Sequence, residues 1–256
     1  MKSFILCADD FAYNQAISAS ILELIKQQRI SATSCMANMP NWPAAAKQLK
    51  EFDGQIDIGL HFNVTEGPAL TTIAFKPLKK LLIHSFFRTL NQKCIYNELC
   101  AQIDEFVKHF GRLPDYIDGH QHVHQFPIIR SALIQAYQCY FPEKKAYIRV
   151  SSNGFSWSLK SLIINLSGAL SLKRQLTQLD IPHNQSFAGI YNLDPQQNYA
   201  NLFSSFIKEI SDHGLIMCHP ANRSSDEIAA ARQQEFDFFS GEEFAAVLEK
   251  VKLRRF

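Results

Sequence analysis

Phe4-Ile5-Leu6-Cys7-Ala8-Asp9-Asp10-Phe11, near the start of the chain, is an apolar run that stops at two adjacent carboxylates. It reads as a buried strand whose C-terminal end delivers two charges that need a counter-ion or a chemical task. Outward from this strand, strand-like and helix-like segments alternate. Ala16, Ile17, Ile21, Leu24 and Ile25 follow the helical period behind Asn14, a capping residue. Further strands are expected over residues 33–38, 56–64, 116–117, 146–150, 187–191 and 215–218. Helices are expected over 42–52, 97–110 with Gly111 as the stop, 127–140 with Pro127 in the first turn, 158–179 and 199–212. A last helix opens on the capping-box pattern Ser240-Gly241-Glu242-Glu243 and runs to about Lys252. Residues 67–80, rich in Pro, Thr and Lys, read as a loop.

Strands separated by helices imply a mainly parallel sheet, because a helix must carry each crossover. About seven such units favour an α/β fold of the distorted (β/α) TIM-like barrel type over an open doubly wound sheet. The 256 residues, 46% of them hydrophobic, suit one domain spanning residues 1–256. Twenty-six Lys and Arg against 24 Asp and Glu are too balanced for a nucleic-acid partner. The six cysteines form no CxxC pair and several lie in apolar runs, which points to a reducing, cytoplasmic setting. Met1-Lys2-Ser3 leads straight into the first strand, so export is not expected. The apolar stretch 161–172 is shorter than the roughly 20 residues of a spanning helix.

In a barrel of this type, chemistry gathers at the C-terminal strand ends. Asp9, Asp10, His61, His120, Arg149 and His219 all fall at or just beyond such ends. Asp10, His61 and His120 make a mixed N/O set of three ligands for one divalent metal ion, the number typical of a catalytic centre. Asp9 is then free to act as a base on water. Two other readings of the Asp9-Asp10 pair are a solvated turn and the acidic pocket of a phosphoacceptor receiver domain. The receiver fold is about half this length and leaves the histidines unexplained. In Asp118-Gly119-His120-Gln121-His122-Val123-His124 the three histidines alternate, so an extended strand would put them on one face. The competing reading is an exposed His-rich loop. Asp118 is placed to orient a ligand imidazole, and His122 and His124 to support the site or touch substrate. Arg149 has three roles open to it: orienting Asp9, binding substrate, or a structural ion pair. His219, in Cys218-His219-Pro220-Ala221, is a candidate general acid, although a lone histidine at a strand end is more often structural.

Four motifs occur in order: Ala8-Asp9-Asp10-Phe11, Gly59-Leu60-His61-Phe62, Asp118 to His124, and Met217-Cys218-His219-Pro220-Ala221. Together they resemble the YdjC-like carbohydrate deacetylase family, which includes chitooligosaccharide deacetylases and hopanoid-biosynthesis-associated deacetylases. The resemblance covers almost the whole chain. It implies a distorted β/α barrel, a metal site matching Asp10, His61 and His120, and a base matching Asp9. His219 falls in the family's CHP motif. Cys7, Ala12 and Gly119 stand where the family usually has Asn, Gly and Ser, changes that spare every expected ligand.

The resulting expectation is a metal-dependent hydrolase that removes N-acetyl groups from an amino sugar in an oligosaccharide or glycolipid. Asp9 would deprotonate water and His219 would protonate the departing amine. The cofactor expected is zinc or magnesium, with nickel, cobalt or manganese as alternatives. Alternatives in function are a non-catalytic sugar-binding or metal-binding barrel and a metal-dependent amidase or deformylase on another amide. Residues 77–88 and 158–174 mix apolar and basic side chains. Ordinary amphipathic packing is the favoured reading, and a peripheral membrane contact is the sharper one. A homodimer is left open.

Overall fold

The computed structural model describes residues 1–152 and 168–256. Its strands are β1 (Lys2–Phe11), β2 (Ala32–Cys35), β3 (Asp57–Phe62), β4 (Tyr116–Gly119), β5 (Tyr147–Ile148), β6 (Phe187–Ala188), β7 (Gly214–Cys218) and β8 (Val251–Leu253). All the pairings among them are parallel, in the order β5-β4-β3-β2-β1-β7-β6. Phe4 pairs with both Gly214 of β7 and Leu253 of β8, so β8 occupies the β2 side of β1 beneath β2. The end strands β5 and β6 are joined through the irregular chain leading into β6. Ile148 bridges His183, and Asn184 exchanges bonds of 2.7 and 2.9 Å with the Val150 backbone. The expected distorted barrel is therefore found, with one seam held by non-strand chain.

Strand alternation divides the core into two regions. Phe4, Leu6 and Ala8 of β1 face the helices, with Ile58, Leu60 and Phe62 of β3. Ile5 and Cys7 face inward, with Tyr116, Tyr147, Phe187, Leu215 and Met217. Tyr116 and Tyr147 stack with centroids 4.7 Å apart, filling the barrel below the strand ends. Gly59 makes room for this filling, because a Cβ there would lie 2.3 Å from the Tyr116 ring.

The helices are α1 (Gln15–Lys26), α2 (Trp42–Leu49), α3 (Leu78–Phe86), α4 (Gln92–Phe110), α5 (Ile129–Tyr140), α6 (Leu170–Gln178), α7 (Tyr199–Glu209), α8 (Ala229–Ser240) and α9 (Glu242–Leu248). Asn14 caps α1 by accepting from the Ile17 amide at 2.9 Å, and Gly111 ends α4 at φ 101°. Residues 158–167 of the expected helix 158–179, and with them 161–167 of the apolar stretch 161–172, lie outside the described residues.

Several local expectations are corrected. The end of the segment read as a loop, with the residues after it, forms α3. Pro127 precedes α5 and its neighbour Ile128, at φ 67°, rather than occupying the first turn. The capping box does not form, because the Ser240 hydroxyl turns back to the Phe236 carbonyl at 2.7 Å. Val251–Leu253 is strand β8, since Lys2–Phe4 offers it a pairing edge that outweighs continuation of the helix. Helix α8 has no counterpart in the sequence reading: Arg232 and Glu235 occupy buried positions on it and obscure its apolar periodicity.

Replacing Gly59 by Ala is expected to destabilise the fold by about 1–3 kcal/mol through overpacking against Tyr116. A lowered denaturation midpoint checks this, and an unchanged one would mean that Tyr116 can move aside.

Candidate active site

Alternation sets the inward order at the C-terminal ends of the strands: Asp9 follows Ile5 and Cys7, His61 follows Gly59, and Asp118 follows Tyr116. Arg149 likewise follows Tyr147, and His219 follows Met217. The parallel register places His61 opposite Asp118, and their side chains meet with Nδ1 2.6 Å from Oδ1.

Asp10 breaks the alternation. As the neighbour of Asp9 it would point to the opposite face in a regular strand. The β1–β2 register shifts between Ala8 and Phe11, and Asp10 takes a left-handed φ of 69°, followed by Ala12 at 72°. This bulge brings the second carboxylate to the same mouth. Its Oδ1 lies 2.9 Å from His120 Nδ1 and 3.4 Å from His61 Nε2.

The three histidines expected on one face diverge, because β4 ends at Gly119 and the chain enters a tight turn with Gln121 and His122 left-handed. His120 reaches Asp10, with Tyr13 stacked 6.4 Å from it. His122 packs edge-on against Phe187 at 5.9 Å. His124 is fully buried with Nε2 2.8 Å from the Arg149 carbonyl oxygen, so it stands behind the site. Gly119 permits this turn: a Cβ there would lie 2.9–3.0 Å from His124 atoms.

Arg149, fully buried, binds Asp9 through both oxygens at 2.7 and 2.8 Å, and its Nη1 also lies 2.9 Å from Asp118. Ser34 donates to the same Asp118 oxygen at 2.5 Å. Burial alone would raise the Asp9 carboxyl, but Arg149 outweighs it and holds the group well below the usual carboxylate range.

Two buried residues, Arg232 and Glu235, have no sequence signal beyond common spacing. Arg232 Nη2 donates to Asp10 at 2.6 Å and Nε to Asp226 at 2.6 Å. Glu235, on the same face of α8, accepts from the Tyr191 hydroxyl at 2.5 Å and from the His219 amide. Burial pushes Glu235 up to about 7, against the Tyr191 and His219 hydrogen bonds. Burial also lowers His219 to about 4, opposed by Asp10 and Asp9.

One atom from each of Asp10, His61 and His120 lies within 4.8 Å of the other two. The charge balance favours a cation here. Among the described residues, Asp9, Asp10, Asp118 and Asp226 meet two guanidiniums, those of Arg149 and Arg232, leaving two negative charges when the imidazoles are neutral. Asp118 accepts a hydrogen bond from His61 Nδ1–H, so in the neutral ring the Nε2 lone pair is directed at the Asp10 oxygen. Burial would keep His61 neutral, yet Asp118 and Asp9 overcome it and push the ring up to about 10. These residues therefore fit a divalent metal ion with Asp118 behind one ligand. A second cluster, Cys7, Asp9 and Asp118, already surrounds the Arg149 guanidinium.

The family model described as YdjC-like protein matches residues 3–250. A chitooligosaccharide deacetylase from Yersinia enterocolitica is 28% identical over 234 residues, covering 86% of this chain and 82% of that protein. A carbohydrate deacetylase from Geobacillus stearothermophilus is 32% identical over 131 residues, covering 48% of this chain and 51%, about half, of that relative. Among solved structures, a protein from Enterococcus faecalis V583 provisionally assigned to cellobiose-phosphate cleavage has a TM-score of 0.73 at 21% identity. That match covers 99% of this chain and 97% of the other, and is a likeness of fold.

Arg149→Met is expected to cost about 3–5 kcal/mol, because it strands Asp9 and Asp118 as buried charges. Equilibrium denaturation measures this, and a loss below about 1 kcal/mol would show that both carboxylates reach water or take up protons cheaply. The Asp9–Arg149 contribution is present above the ordinary carboxylate pKa and lost as pH falls towards the depressed folded value. Acid unfolding of Asp9→Asn should accordingly show a shallower pH dependence than the parent.

Proposed function

Because the chain belongs to the YdjC-like protein family, we propose that it is a metal-dependent carbohydrate deacetylase acting on an N-acetylated amino sugar. The observation that carries this reading is the meeting of Asp10, His61 and His120 beside the buried carboxylate of Asp9. The names of the two relatives support the substrate class.

Asp10, His61 and His120 would hold the metal ion, which when bound would polarise the amide carbonyl and acidify a water molecule. Asp118 fixes the His61 tautomer, and Arg232 neutralises the outer oxygen of Asp10. Asp9 takes a proton from the attacking water while Arg149 fixes its orientation. The water oxygen bonds to the carbonyl carbon, the carbon–nitrogen bond breaks, and the nitrogen leaves as an amine after accepting a proton. His219 is the donor in this reading. His122, half-buried at the turn, is the remaining candidate for substrate contact, with Tyr13 over His120. The six unpaired cysteines support a reducing compartment, the cytoplasm, as its place of work.

The experiment is acetate release from a panel of N-acetylated oligosaccharides and glycolipids, using protein stripped of metal and reloaded with zinc, magnesium, nickel, cobalt or manganese. Metal-dependent release is expected, and its absence across the panel would overturn the reading. Asp9→Asn should keep stoichiometric metal while turnover falls by about 10²–10⁴-fold. His61→Ala should lose the metal itself, measured by elemental analysis.

A further inference from the structure

Helix α3 is apolar on two sides. Leu81 and Ser85 face inward and are buried, with Leu78 and Leu82 partly covered beside them. The opposite side carries Ile83, Phe86 and Phe87, exposed at 56%, 49% and 77%. Single exposed apolar residues are ordinary on a protein surface. Three within five residues, on one side of one helix, form a patch that water solvates poorly.

The charges of the chain segment that carries α3 have a single sign. Residues 67–97 contain Lys76, Lys79, Lys80, Arg88 and Lys93 and no Asp or Glu. Lys79 and Lys80 are exposed in the first turn of α3, and Arg88 is exposed just beyond its end. The long basic stems can lie along the apolar surface while their charged ends reach anionic headgroups.

The position also matters. Ser85 donates to the Pro127 carbonyl, which anchors α3 to the chain just after the His120–Gln125 turn. Arg130 ties Gln125 to Gly168 with bonds of 2.9 and 3.4 Å, two residues before Leu170, which is 63% exposed. The exposed apolar side of α3 is thus tied to the chain just after the segment that carries His120.

We propose that the Ile83–Phe86–Phe87 side of α3, with Lys79, Lys80 and Arg88, docks on the surface of an anionic phospholipid bilayer and holds the strand-end site close to it. Among the described residues no helix is long and apolar enough to cross a membrane, so the contact is peripheral. A second copy of this chain fits poorly as the occupant. Self-pairing of the patch would bring its lysines and arginine against their own kind, with no carboxylate between residues 67 and 97 to answer them. The lipid contact does not depend on the deacetylase reading, because binding is measured without turnover.

The test is flotation of the full chain with phosphatidylcholine vesicles, with and without phosphatidylglycerol. The chain is expected to float with the anionic vesicles only, and to be released as salt rises from about 0.1 M to about 1 M. Ile83→Ser/Phe86→Ser/Phe87→Ser should lower partitioning by more than about tenfold. Lys79→Gln/Lys80→Gln should lower it by about fivefold for each charge removed. Circular dichroism and metal content should be unchanged in both variants, since the altered side chains are exposed. Failure to float with anionic vesicles, or equal flotation of the variants and the parent, overturns the proposal. So would a concentration-dependent dimer, abolished by the triple variant, in a chain that binds no vesicles.

Discussion

The fully buried guanidinium of Arg149, held between Asp9 and Asp118, is the constraint on which the site rests. A buried carboxylate is tolerated only when a positive charge or a donor answers it. Arg149 answers two at once and fixes both oxygens of Asp9 in one plane. Asp118 is then free to accept from His61 with its other oxygen. The same arrangement keeps Asp9 ionised and aimed, and gives the facing imidazole a defined tautomer. One residue at the end of the two-residue strand β5 thereby coordinates three other strands, which explains why the irregular seam beside β5 is pinned by Asn184 and by His124.

The second constraint lies in the backbone. A regular strand cannot aim adjacent residues at one point, and the Asp9–Asp10 pair reaches the same mouth only through the bulge at the end of β1. A left-handed conformation at a residue with a Cβ is unfavourable. Here the carboxylate of Asp10 gains contacts to His120, His61 and Arg232 that require it. Ala12 takes a similar left-handed backbone conformation and is buried, so its methyl group is carried at a similar backbone cost. The turn after Gly119 has the same character: two left-handed residues scatter the three histidines to three destinations.

Most of the inward-facing site was legible from position: Asp9, His61, Arg149 and His219 fall at or just beyond the ends of segments that read as strands. That each faces inward follows from alternation seen in the structure, since runs such as Phe4–Ala8 are apolar on both faces. What escaped that reading shares a cause. Arg232 and Glu235 sit at core positions of α8, where charge replaces the apolar marks by which a helix is recognised. Their partners, Asp10, His219, Tyr191 and Asp226, come from other segments. The outward side of α3 was similarly hidden: the sequence 77–88 records a mixture of apolar and basic residues, but only packing decides which of them remain exposed.

The sequence by itself determined the α/β alternation, the parallel sheet, the candidate residues at the strand ends and the balance of charge. These depend on periodicity and composition, which are local properties of the chain. Only the tertiary structure decided that Asp10 turns to join Asp9, that His120, His122 and His124 separate, that β8 pairs below β2, and that Arg149 and Arg232 divide the carboxylates between them. Each of these follows from satisfying buried charges and hydrogen-bonding groups across distant segments, a condition that no local window of sequence contains.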